Sequence, residues 1–105
     1  MPLFSVYAPD YTDADAINRR LAVREAHLAA AGKNKAIKVG GALLSPNEAL
    51  DTPDAERKMI GSSLIIEAAN YAEARKLIES DVYWSGNVWD KEKTLIQPFV
   101  TSRQL

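Results

Sequence analysis

The chain has one histidine, His27, and imidazole is the side chain whose ordinary titration falls near neutral pH, so it can take or give a proton there. Its neighbours on a helical surface are Arg20, Val23, Arg24 and Ala31. A catalytic imidazole needs a partner that fixes its tautomer. Without one, His27 is an ordinary surface histidine tied to a nearby carboxylate. A second segment, Asp81-Val82-Tyr83-Trp84-Ser85-Gly86, sets an acid directly behind a helical stretch and follows it with two aromatics. Negative charge at a helix C-terminus is unfavourable, and such local conflicts gather at functional sites. The plainer alternative is an Asx turn capping its own backbone. Ser62 and Ser63, after Gly61, can donate to a ligand or satisfy backbone, and Lys91-Glu92-Lys93 reads as a solvated strand edge.

Other chemistries are excluded by what the sequence lacks. With no cysteine there is no disulfide scaffold, thiolate metal site or thiol nucleophile. No glycine-rich phosphate loop, nucleophile elbow or metal-ligand spacing occurs, so neither a metal nor a cofactor is expected. A third reading, haem or metal held by His27 alone, has no supporting ligand set. Thirteen basic residues against fourteen acidic ones give a net charge of -1, with no footprint for nucleic acid or an anionic membrane. No apolar run approaches the ~20 residues of a membrane span. The N-terminal Pro2-Leu3-Phe4-Ser5-Val6-Tyr7 lacks the pattern of a signal peptide, so the expected location is cytoplasmic.

The elements that must hold these residues are legible in outline. Residues 2–8 read as a strand stopped by Pro9-Asp10. A helix follows, with Thr12 or Asp13 as N-cap, acids in its first turn, and Gly32 as the residue that ends it. Its expected inward stripe is Ile17, Leu21, Arg24 and Leu28, which leaves His27 at the edge. Residues 36–44 form a second strand, whose Gly40-Gly41 pair suggests a bulge or a close approach. Residues 45–58 are a polar loop and 59–68 a third strand. Asn70 caps a second helix with Glu73 as partner, and Ala74, Leu77 and Ile78 are its apolar stripe. Residues 87–100 form a last strand, with Trp89, Leu95 and Phe99 on one face and Val88 and Ile96 on the other.

The order βαββαβ is the ferredoxin-like α+β arrangement, one domain over residues 1–105 with a four-stranded antiparallel sheet. Large apolar groups fall on both sheet faces, so the helices cannot cover everything, and a homodimer closing sheet on sheet is expected.

Several segments resemble YciI-like proteins, the YCII-related domain family. Arg20 through Leu28 resembles the family's "R-x-x-H-L" helix, and Gly61-Ser62-Ser63-Leu64-Ile65-Ile66 its "G-S" strand. Asp81-Val82-Tyr83 with Gly86 resembles its "D-P-Y … G" turn, and Trp89 through Pro98-Phe99 its last strand. Val82 stands where many members have proline, and Gly41-Ala42 where Gly-Pro is common. The resemblance implies a dimeric α+β barrel and a site centred on a His and an Asp, here His27 and Asp81. It also implies kinship with a dehydrochlorinase class acting on substituted hydroquinones. On this reading His27 is the general base or acid and Asp81 orients it. Tyr83 and Trp84 wall the pocket, Ser62 positions a polar substituent, and Arg24 binds a substrate oxyanion or pairs with Glu25 or Asp81. The expected activity is cofactor-free, lyase- or isomerase-like proton transfer on a small cyclic or aromatic molecule. The alternative is a non-catalytic small-ligand or interaction module on the same barrel.

Overall fold

A computed structural model describes all 105 residues. The elements are β1 (Leu3–Pro9), α1 (Ala16–Lys33), β2 (Ile37–Ser45), β3 (Lys58–Glu67), α2 (Tyr71–Glu79), α3 (Val82–Ser85) and β4 (Leu95–Phe99). The four strands make one antiparallel sheet in the order β2-β3-β1-β4. Register aligns the apolar alternation across it: Val6 lies opposite Leu64 on one side and Ile96 on the other. Phe4, Val6, Ala8, Leu64, Ile66 and Ile96 are therefore buried together on the inner face. Ala74 and Ile78 of α2, Tyr83 of α3, and Val88 and Trp89 close over them. Each fully buried Val, Ile or aromatic there contributes ~1.5–3 kcal/mol relative to exposure.

Asn70 caps α2 as expected, its side chain accepting from Glu73 N at 2.9 Å. The Glu73 side chain does not return to complete the capping box; Lys76 Nζ donates to it at 3.3 Å. On the outer sheet face Tyr7, Val39 and Leu95 are about half exposed, beside the partly covered Leu3, Leu43, Ile65 and Phe99.

Helix α1 departs from expectation in three ways. Helix α1 begins at Ala16, so Thr12 and Asp13 precede it, and Asp13 instead takes a two-pronged ion pair from Arg19 at 2.7 Å and 2.7 Å. That guanidinium holds the Asp13 carboxyl down at about 2. Gly32 lies inside α1, which runs on to Lys33 with Asn34 as C-cap. The inward stripe has the expected period but another phase. Leu21, Arg24 and Leu28 are exposed, and Ala16, Arg20, Val23 and His27 turn inward. The inner side of α1 meets carboxylates and a hydroxyl, so its polar residues are the ones that find partners there.

The last strand is shorter than expected, because Lys93 N and Thr94 N both bond back to Asp90 O and wind residues 90–94 into a turn. The alternation thus breaks before β4. Trp89, which bridges to Asp10, is buried together with Val88 and Ile96, and Leu95 faces outward. The register irregularities of β2 flank the glycine pair, at Ile37/Val39 and Leu43/Leu44.

Candidate active site

α1 does not lie flat on the sheet. Between it and the inner face of β2 and β3 is a cavity of about 430 Å³, with Arg20, Arg24, His27, Ser62 and Tyr83 as its polar lining. Its floor is low because Gly40 and Ala42 face it from β2. A Cβ on Gly40 would already stand 3.3 Å from Ile37 Cγ2.

Asp81 stands one residue before α3 in extended backbone, as its N-cap, and Oδ1 accepts from Tyr83 N at 2.8 Å. The same oxygen lies 2.8 Å from His27 Nδ1. The Asx capping turn and the partnership with histidine are thus one arrangement: the cap immobilises the carboxylate, and the carboxylate orients the imidazole. An ionised carboxylate only accepts, so Nδ1 carries the hydrogen and a neutral His27 keeps its lone pair on Nε2. Nε2 has no protein partner and is not sealed from solvent. Gly86 lets α3 stop after one turn, since a Cβ there would sit 2.7 Å from Val82 O.

The imidazole is held by aromatic rings as well as by its nitrogen. Tyr83 stacks on it at 3.9 Å between centroids and 11° between planes, and Trp89 meets its edge at 6.0 Å. Burial pushes the Tyr83 phenol above its ordinary range, against the pull of Arg20 and Arg24, so at neutral pH the hydroxyl keeps its proton.

Beside this pair lies a second polar cluster. Arg20 Nη1 donates to both Asp10 oxygens at 2.8 Å and 3.0 Å, and both residues are buried. Arg20 Nη2 reaches Ser62 Oγ at 3.1 Å, and the Trp89 indole N–H donates to the same oxygen at 3.1 Å. The guanidinium carbon sits 4.7 Å from the Tyr83 ring centre. Burial raises the Asp10 carboxyl above its ordinary range, and Arg20 pulls it back only in part.

Of the residues expected at the site, His27, Asp81, Tyr83, Ser62 and Arg24 meet at or beside the cavity. Arg24 pairs with neither Glu25 nor Asp81 and has no carboxylate partner at all. Trp84 is the exception: it is not part of the cavity lining. It packs on the core from outside, with Arg75 Cζ 6.0 Å and Lys91 Nζ 5.7 Å from its ring, because one turn of α3 cannot turn two consecutive aromatics the same way. Asp10 and Arg20 were missed. Strand parity carried a signal for Asp10, which continues the inward series Phe4, Val6, Ala8; Arg20 stands two turns before His27 on the same helical face.

The sequence profile of the YCII-related domain matches residues 4–97. The chain belongs to the YCII-related domain family. Among solved structures this YCII-related domain is similar to a 5-chloro-2-hydroxyhydroquinone dehydrochlorinase from Burkholderia phenoliruptrix AC1100, in complex with 2,5-dihydroxybenzoquinone. The two share 28% identity over 93% of each chain, with a TM-score of 0.75. No curated protein matches the chain. The domain has no group of three or more His, Cys, Asp or Glu side chains placed to hold a metal ion, and no helix long and apolar enough to cross a membrane.

Proposed function

We propose that this YCII-related domain is a cofactor-independent enzyme that moves a proton on a small cyclic or aromatic, oxygen-bearing substrate, in the manner of a lyase or isomerase. The observation that carries this reading is the 2.8 Å contact between His27 Nδ1 and Asp81 Oδ1, with Nε2 left unpartnered on a residue that lines the cavity. Nε2 takes a proton from a hydroxyl or ring carbon of the substrate. Asp81 then stabilises the imidazolium through the Nδ1 hydrogen, as an orienting carboxylate does. The electron pair released moves into the ring, and the imidazolium returns the proton to a ring carbon, which completes an isomerisation; where that now tetrahedral carbon bears the leaving group, Nε2 removes a second hydroxyl proton and the group departs as its anion. Arg24, the cation at the cavity without a partner, favours the developing oxyanion. The activity and quinone ligand of the dehydrochlorinase relative support a chlorinated hydroxyhydroquinone or a close analogue as first substrate to try. We also assign the half-exposed apolar outer face of the sheet to a homodimer contact.

The test is turnover. Chloride release and ultraviolet spectra are followed with chlorinated hydroxyhydroquinones and lactones, for the parent and for His27→Gln. The expected result is turnover that falls about 100- to 10,000-fold in the variant, the usual contribution of a positioned base. Substrates that bind but are never converted, or conversion untouched by His27→Gln, would overturn the reading in favour of a binding module or of another base.

A further inference from the structure

The hydroxyl of Ser62 has its acceptor capacity fully used and its donor capacity not used at all. A serine oxygen has two lone pairs and one hydrogen. Arg20 Nη2 and Trp89 Nε1 each point a hydrogen at Ser62 Oγ, both at 3.1 Å. Neither group can accept, since guanidinium and indole N–H are donors only. Both lone pairs are thereby engaged, and no group of the protein accepts the Ser62 hydrogen. Ser62 is only 4% exposed, so bulk water does not substitute freely, and the surface it retains belongs to the cavity lining. A buried donor without an acceptor costs free energy in the empty protein, and a ligand oxygen supplies what is missing.

We infer that Ser62 is a donor-only recognition point, set in that state by Arg20 and Trp89, which selects ligands presenting an acceptor oxygen — best a carbonyl or a phenolate — and disfavours an amino N–H donor at that position. The inference rests on the cavity being the ligand site proposed above, and it adds which chemistry the site admits and which residues impose it. Arg20 is held by the two Asp10 contacts, and Trp89 is clamped between β1 and the core, so neither can turn away to release a lone pair. The guanidinium also polarises the hydroxyl it donates to, which strengthens the bond that the hydroxyl in turn makes. Arg20 and Trp89 act here through Ser62 and are positioning residues.

Pentafluorophenolate and pentafluoroaniline are the probes: equal in shape, one an acceptor at neutral pH and the other a donor, both read by fluorine NMR titration. The parent is expected to favour the phenolate. Ser62→Ala should lose roughly 10- to 100-fold of phenolate affinity, the range for a hydrogen bond to a charged group, and leave the aniline nearly unchanged. Trp89→Phe frees a lone pair on Ser62, so the aniline should gain relative to the phenolate, a change of preference that loss of packing alone does not produce. If that core variant fails to fold, Ser62→Ala still decides. Equal phenolate affinity in parent and Ser62→Ala, or a parent that prefers the aniline or binds neither probe, would overturn the inference. These are binding measurements, so an inactive dyad, seen as turnover indifferent to His27→Gln, removes the catalytic reading and leaves this one standing.

Discussion

Replacing Arg20 by Met should be among the most damaging single changes in the molecule, and its pH dependence should name the cause. Methionine keeps most of the volume but leaves the Asp10 carboxylate, now satisfied by Nη1 at 2.8 Å and 3.0 Å, without a counter-charge in a buried site. Breaking a buried pair from one side typically costs ~3–5 kcal/mol. At ~4–8 °C per kcal/mol for a domain near this size, the melting midpoint should fall roughly 12–40 °C. Burial already raises the Asp10 carboxyl, and losing the guanidinium raises it further. A carboxyl whose folded value lies above its unfolded value of about 3.9 supports the fold most at pH below that unfolded value, and this support is lost as pH rises through the folded one. The deficit of Arg20→Met relative to the parent should therefore be smaller at about pH 5 than at about pH 8. Adding Asp10→Asn removes the stranded charge and should recover a large part of the loss. Thermal unfolding followed by circular dichroism at the two pH values compares the parent with both variants. An equal deficit at both pH values, or a double variant no more stable than the single one, would refute the electrostatic account and leave simple packing.

Asp81→Asn should separate capping from chemistry: asparagine caps α3 as well as aspartate does, so melting is preserved while turnover falls about 100-fold or more, whereas Asp81→Ala also loses ~1 kcal/mol of stability. Alkaline ultraviolet titration of Tyr83→Phe should lack a late phenolate transition that the parent shows; because the folded value is raised, forcing ionisation of Tyr83 removes stability as pH climbs through it. Light scattering should give twice the 11.5 kDa chain mass, and Leu95→Glu on the outer sheet face should shift it towards the monomer without unfolding.

The fold was legible because its cause is local and periodic. Alternation in Phe4, Val6 and Ala8, the Asn70 cap, and the element order determine a split βαβ sheet with little help from tertiary contacts. Period alone does not settle phase, however. On α1 the sequence offers an apolar stripe at Ile17, Leu21 and Leu28; Ile17 is partly buried, but the chain leaves Leu21 and Leu28 exposed and turns Arg20, Val23 and His27 inward. Apolar counting misreads such a helix, since its inner face is stabilised by the carboxylate of Asp10, just past β1, and the hydroxyl of Ser62 in β3. Strand β4 misled for the opposite reason: a turn anchored on Asp90 broke the alternation that linked Trp89 to Leu95.

Residue identities alone establish which groups are available for chemistry: one imidazole, an acid behind a helix, and no thiol. Residue types are set by covalent structure, and their exclusions hold in any fold. How those groups pair depends on the folded arrangement. Asp81 and His27 are 54 positions apart, and Ser62 receives donors from Arg20 and Trp89, 42 and 27 positions away. Hydrogen-bond partnership depends on distances of a few tenths of an ångström between elements, and no local pattern encodes those distances. The cavity has the same origin: α1 stands off the sheet because its inner face is built from long polar side chains, with Gly40 and Ala42 opposite, and that separation exists only once the helix and both strands are in place.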